Sequence, residues 1–293
     1  MKILVTGAAG MLAAEVVPEL ISKGHTVIET DINLRLPSIE KLDFTDIKSV
    51  EEIIIKNKPD FIFHLAALTD VDLCEKDPDL AYRVNFIGTE NIALMCYKYE
   101  IPLLYISTGG VFNGQKPSPY TEFDIPDPVN KYADSKLRGE TIIQNLLTKY
   151  FILRAGWMIG GGDIDKKFVF KIVQQLKEGK TELNVVNDKF GSPCFTFDFA
   201  KQILPIVETG RYGIYHIANG GMVSRFEIAS RIVELMKLSD KVKINAINSA
   251  QFPLPAPRAR SEAIENYKLK LLEINLMPHW QKSLERYLAE NYE

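Results

Sequence analysis

Tyr132 and Lys136 stand four residues apart in the stretch PVNKYADSKLRGE, a spacing that puts two side chains on one face of a helix. A free phenol ionises near pH 10 and a lysine ammonium near pH 10.4. A cation held against a phenol favours the phenolate, so the pair predicts a tyrosine of lowered pKa that moves a proton near neutrality. The bland alternative is a solvated helix charge. Upstream, YISTGG closes a strand-like run with Ser107 and Thr108. A hydroxyl at the carboxyl end of a strand lies where open α/β sheets bind ligands. A hydroxyl that orients a carbonyl, a phenol that protonates it and an ammonium that tunes the phenol form a set for ketone reduction. The hydride must then come from a nicotinamide.

Such a set needs a cofactor cradle. The chain opens MKILVTGAAGMLAAEVV, an apolar strand running through glycines into a helix pattern. At such a turn glycine lets the backbone approach a pyrophosphate, and the helix N-terminus supplies positive potential. The spacing Gly7-x-x-Gly10-x-x-Ala13 departs from GxGxxG, but Ala13 still allows close helix–strand packing. A tight turn of small residues without a ligand is the other reading. Asp31 closes the second strand where a carboxylate can accept from the adenosine ribose hydroxyls. Arg35 is near enough in sequence to meet a 2′-phosphate, so NAD and NADP both stay open, with Asp31 favouring NAD. Asp43 either meets the adenine amine or begins a helix with Thr45.

The scaffold is written as alternation. KILVT, HTVIET, FIFHLAA, PLLYIST and YFILRAG are strand-like, and helical patterns including KSVEEIIIKNK and GTENIALMCYKY separate them. A long helix is expected over about 131–149. This rhythm predicts an α/β fold, a doubly wound parallel sheet (Rossmann-like) with a smaller C-terminal substrate lobe. Residues 1–155 are expected to bind the dinucleotide and 156–293 to form mainly the substrate lobe, with about 187–217, GIYHIA included, returning to the main domain. Beyond the Gly-rich break at 160–163, FVFKIVQQLKEGK reads as a helix. SRFEIASRIVELMK reads as another, capped by Ser224 with Glu227 three residues on. FPLPAPRAR is a proline-rich loop.

The chain has 293 residues, 46% apolar and 25% charged, with a net charge of −3 and a pI near 5.9. That length can bury a full core. The balance carries no basic footprint, so nucleic acid is not an expected partner. No apolar run approaches a membrane span, and the N-terminal run breaks at Gly7 too early for a signal peptide. Cys74, Cys96 and Cys194 are few and scattered, which points to a reducing, cytoplasmic address and no disulfide or metal.

Taken together, VTGAAGML, PDFIFHLAALTDVDLCEKDPDLAYRVN, STGGVFNG, PYTEFDIPDPVNKYADSKLRGE, LRAGWMIG, NDKFGSP, GIYHIANGG and APRARSEAIENYKL resemble the extended short-chain dehydrogenase/reductase family. The resemblance covers nearly the whole chain and lies in the sugar-nucleotide branch. It implies catalytic Thr108, Tyr132 and Lys136, and cofactor contacts from Gly7, Gly10, Met11, Leu12, Asp31, Ala66 and Ala67, with Tyr132 and Lys136 also at the cofactor. It implies NAD(P)H-dependent reduction of the 4-keto group of a nucleotide-linked deoxysugar. Lys136 would hold the cofactor ribose. Mg2+ enters by resemblance alone, and a homodimer is possible.

Asn85, Trp157, Arg258 and Arg260 are the candidate substrate contacts, the two arginines as diphosphate partners. Asn85 can equally brace its own helix, and Trp157 can equally be core. Arg154 also follows the strand toward the substrate side, whereas His64 reads as a packed strand-end histidine. There are departures on the expected substrate side. Members that reduce 4-keto sugars usually carry Ser-Thr-Asp-Tyr-Val-Phe where this chain has Ser107-Thr108-Gly109-Gly110-Val111-Phe112, and Arg-Pro where it has Arg258-Ala259. Two alternatives accompany the reductase: a 4-epimerase or dehydratase that retains its NAD, and a non-catalytic cofactor-binding regulatory subunit.

Overall fold

A computed structural model describes residues 1–164 and 167–292. The first half supplies Lys2–Thr6 (β1), Thr26–Asp31 (β2), Glu40–Lys41 (β3), Phe61–His64 (β4), Leu103–Thr108 (β5) and Tyr150–Ala155 (β6). The later chain adds the short strands Trp157–Ile159 (β7), Glu182–Val186 (β8), Phe190–Gly191 (β9) and Pro193–Phe195 (β10). Gly213–Ile217 (β11), Val223–Ser224 (β12), Lys243–Ile247 (β13) and Ser261–Glu262 (β14) complete them. The main sheet runs β11-β6-β5-β4-β1-β2-β3, with every pair parallel. Strand order therefore reverses between β1 and β4, and a crevice opens beyond their carboxyl ends.

The helices are Ala13–Ser22 (α1), Ile47–Asn57 (α2), Val71–Lys76 (α3), Pro78–Tyr82 (α4), Thr89–Lys98 (α5), Lys131–Leu146 (α6), Phe168–Lys177 (α7), Thr196–Glu208 (α8), Arg225–Leu235 (α9), Tyr267–Leu271 (α10) and Trp280–Tyr292 (α11). A strand buried on both faces must be apolar at successive positions, because its side chains alternate. In β1, Ile3 and Val5 face a core built with α1 and α8, while Leu4 faces one built with α2, α5 and α6. Phe61 and Phe63 of β4 divide from Ile62 in the same way. Each such side chain contributes about 1.5–3 kcal/mol when fully buried. A third core joins α7, α9 and α11 to β8 and β10.

Local differences from the sequence reading have physical causes. Helix α6 stops at Leu146, because Leu147 is already extended toward β6. Its start is set by Asn130, whose side chain accepts from the Ala133 N–H. Asp43 does not begin α2: its Oδ1 accepts from the Thr45 N–H and hydroxyl, and Asp46 is the cap. In the segment 187–217, α8 packs against α1 and β11 pairs with β6, while β9 and β10 join small sheets outside the main one. Helix α9 has the expected capping box between Ser224 and Glu227. Among the described residues no helix is long and apolar enough to cross a membrane.

Candidate active site

The glycine turn follows β1 directly. Gly7 sits at φ +73°, and a Cβ there would lie 2.7 Å from the Ala66 N and 2.8 Å from its Cα. Only glycine permits both that conformation and that approach of β1 to the loop after β4. The Gly10 N–H donates to the Gly7 carbonyl at 2.9 Å, turning the chain into α1. Asp31 reaches back from β2: its carboxylate accepts from the Ala9 N–H at 3.0 Å and the Asn33 N–H at 2.8 Å. Ala66 and Ala67 are half-buried beside the turn. Met11 packs on the backbone of Gly161. Leu12 is a correction in part, for its side chain is in the core and leaves only backbone to a ligand. A cradle that admits no Cβ, at a helix N-terminus and beside a carboxylate, suits a dinucleotide.

Thr108 ends β5, and its Oγ1 accepts from the Gly110 N–H at 3.0 Å. Tyr132 and Lys136 stand four residues apart on α6 and so share one face, with Cys74 of α3 close to both. The Tyr132 phenol lies close to the Thr108 hydroxyl. Lys136 is buried, with its Nζ 4.1 Å from the centroid of the Tyr105 ring. Here the lowered phenol pKa expected from the sequence is corrected. Burial raises the pKa of Tyr132 above the ordinary phenol value, with the Thr108 hydroxyl opposing the rise and Cys74 and Glu262 adding to it. Lys136 does not bring it down. Burial instead lowers the Lys136 ammonium to about 7, against the pull of Glu140. A phenol held protonated is a proton donor, the state a carbonyl reduction requires.

The frame beneath is polar and closely paired. Arg154 of β6 forks onto Glu140 of α6, Nη2 to Oε2 at 2.7 Å and Nε to Oε1 at 3.0 Å, and the Ser107 hydroxyl donates to the same carboxylate. Arg154 thus serves the frame and does not face substrate. Asn85 is corrected likewise: it is 1% exposed, accepts from the Leu68 N–H, and donates to the Leu68 carbonyl and the Ser135 hydroxyl. It ties the loop after β4 to α6. His64 lies between the hydroxyls of Thr6 and Thr89, and burial drops its pKa to about 3, so it stays neutral.

The opposite wall comes from β7, β14 and α9. Trp157 lies against Gly191, donates from Nε1 to Glu262 Oε2 at 2.7 Å, and sits 4.2 Å from the Arg225 guanidinium. Arg225 also covers Phe168 at 4.8 Å, and burial lowers its pKa to about 10. Arg258 binds Asp72 at 3.0 Å and the Ala256 carbonyl at 2.8 Å, while the Arg260 side chain is exposed. Arg258 is therefore partly neutralised, while Arg225 is a half-buried cation stacked on the aromatic rings of this wall. Arg225 and Glu262 escaped the sequence reading; Arg225 follows the Ser224 cap, and nothing local marks either one. Asp43 is exposed and engaged with Thr45. Among the described residues no group of three or more His, Cys, Asp or Glu side chains could hold a metal ion, so these residues do not fit Mg2+.

The model of the RmlD substrate binding domain matches residues 1–293. The dTDP-4-dehydrorhamnose reductase of Mycobacterium tuberculosis (strain CDC 1551 / Oshkosh) is 32% identical over 293 residues, covering 98% of this chain and 92% of that protein. The spore coat polysaccharide biosynthesis protein SpsK of Bacillus subtilis (strain 168) is 33% identical, covering 99% of this chain and 97% of its own length. The structure of a dTDP-4-dehydrorhamnose reductase from Bacillus anthracis in complex with NADP is 35% identical with a TM-score of 0.91, covering 99% of both chains.

Proposed function

The chain belongs to the family of the RmlD substrate binding domain, and from that premise we propose that it reduces the 4-keto group of a nucleotide-linked 6-deoxysugar, as a dTDP-4-dehydrorhamnose reductase does. The observation that carries the reading is the convergence of Thr108, Tyr132 and Lys136 beside the Gly7 turn, at the carboxyl ends of β1, β4 and β5.

Gly7, Gly10, Met11, the Leu12 backbone, Ala66 and Ala67 would hold the dinucleotide, and Asp31 its adenosine ribose. When bound, the reduced nicotinamide supplies a hydride to the carbonyl carbon. Thr108 donates a hydrogen bond to the carbonyl oxygen and fixes its direction. Tyr132, kept protonated by its surroundings, delivers its proton to that oxygen as negative charge grows there. Such a positioned acid contributes about 10²–10⁴ in rate. Lys136 presents its ammonium to the cofactor ribose. Residues 1–155 serve the cofactor and 156–293 mainly the sugar nucleotide, with α8 and β11 belonging to the former. Asp31 favours NADH, because a carboxylate beside the ribose repels a 2′-phosphate.

Turnover with dTDP-, GDP- and UDP-linked 4-keto-6-deoxysugars tests the reading. Consumption of NAD(P)H with a dTDP-4-keto sugar is expected, with oxidised cofactor released each cycle. Purified protein that carries stoichiometric NAD and consumes none would contradict it and favour an epimerase. Cofactor binding with no turnover of any sugar would mark a regulatory subunit.

A further inference from the structure

The glycines at 109 and 110 make room for a carboxylate. A Cβ at Gly109 would lie 3.0 Å from the Glu262 carbonyl and 3.1 Å from Ile264 Cγ2, so β14 crosses over this turn at backbone contact. A Cβ at Gly110 would lie 3.3 Å from Thr108 Oγ1 and 3.8 Å from Glu262 Oε1. The Thr108 hydroxyl and the Glu262 carboxylate therefore flank one point above Gly110, and any large side chain at 110 would fill the space between them. The two Glu262 oxygens have different roles. Oε2 accepts from Trp157 Nε1 at 2.7 Å, which locks the carboxylate, and Oε1 has no hydrogen-bond partner among the described residues. Glu262 is half-buried and close enough to act on the Tyr132 phenol.

We propose that Glu262 is a specificity-determining residue, whose Oε1 accepts a hydrogen bond from the sugar hydroxyl next to the carbonyl held by Thr108 and Tyr132. The proposal rests on the reductase reading. Gly110 and Glu262 act as a pair: the glycine opens the wall, and the carboxylate reaches through from β14 to meet the ring. A hydrogen bond to an ionised acceptor is strong and directional. A site built to accept from a hydroxyl also discriminates against a sugar that lacks it, since Oε1 is then left without that partner.

The test compares wild type, Glu262→Gln and Glu262→Ser on two substrates, a dTDP-4-keto-6-deoxysugar with its 3-hydroxyl and the 3-deoxy analogue. Thermal melting of each variant keeps folding apart from chemistry. Wild type should prefer the hydroxylated sugar, and Glu262→Gln should lower kcat/KM for it by about 10- to 100-fold. On the 3-deoxy sugar Glu262→Gln should change kcat/KM by less than about threefold, which removes the preference. The groups facing the phenol are Thr108, Cys74, Tyr105 and Glu262. Removing the Glu262 charge should move the alkaline limb of the rate profile to lower pH, a change a merely structural glutamate would not cause. Equal loss on both sugars, or a variant that keeps the wild-type preference, overturns the proposal alone. Wild type that turns over neither sugar overturns the reductase reading and this proposal with it.

Discussion

Replacing Glu140 by leucine would leave the guanidinium of Arg154 buried without its counter-charge. The pair is among the least exposed in the chain, at 3% for the Arg154 side chain and 0% for Glu140. Three hydrogen bonds from Arg154 and one from Ser107 converge on that carboxylate. Arg154 Nη1 is already without a hydrogen-bond partner among the described residues, so the guanidinium has no second acceptor to turn to. Breaking a buried pair from one side costs about 3–5 kcal/mol, most of it the uncompensated charge. For a chain of this size each kcal/mol lowers Tm by about 2–4 °C, so Glu140→Leu should melt roughly 6–20 °C below wild type. Glu140→Leu with Arg154→Met removes both charges at similar volume and should recover most of that loss. The assay is a double-mutant cycle by chemical and thermal unfolding, with wild type and both single variants measured together. A double variant whose loss equals the sum of the two singles would refute the reasoning, because it would mean that the charges do not see each other.

Gly7→Ala should abolish NAD(P)H binding and lower stability by about 2–4 kcal/mol, since alanine must adopt φ +73° against the Ala66 backbone; isothermal titration and melting check both, and unaltered binding would contradict it. Lys136 ionises near pH 7 in the fold and near 10.4 in an unfolded chain. Between those values the unfolded state binds more protons, so its contribution to stability is full above the higher value and is lost as pH falls toward the lower one. Wild-type Tm should therefore rise more steeply than that of Lys136→Met between about pH 7 and 10, and parallel curves would contradict this. Asp31→Ala should lower the ratio of kcat/KM for NADH over NADPH by about tenfold, the value of one charge-assisted contact; an unchanged ratio would remove Asp31 from cofactor choice.

Much of the scaffold is legible because its signals are local. KILVT, FIFHLAA and PLLYIST are apolar at successive positions, as strands buried on both faces must be, and Gly7 marks a turn whose φ only glycine takes easily. Helix α8 is not legible in that way. TFDFAKQILPIVE is buried over most of its surface and carries Pro205 inside, a residue that reads as a helix break. The site divides along the same line. Spacing brings Tyr132 and Lys136 to one face, but whether burial or charge governs their titration depends on Cys74, Glu140 and Glu262, which lie far apart in sequence. Asn85 looked like a substrate contact from its position in the resembled family, and Arg154 because it follows a strand toward the substrate side. Their partners, Leu68, Ser135 and Glu140, make them braces, and those pairings come only from the fold. Glu262 stands on a two-residue strand whose partner β9 is equally short, too brief for any period to mark.

Tyr132→Phe tests the central claim most directly, since it removes one oxygen from the crevice and leaves the ring in place. Single-turnover reduction of a dTDP-4-keto-6-deoxysugar should slow by about 10²–10⁴, while the Kd for NAD(P)H stays within about twofold of wild type, as expected for a group that acts only on the growing charge. Reduction at near wild-type rate, or loss of cofactor binding in step with loss of rate, would contradict the assignment of the phenol as proton donor.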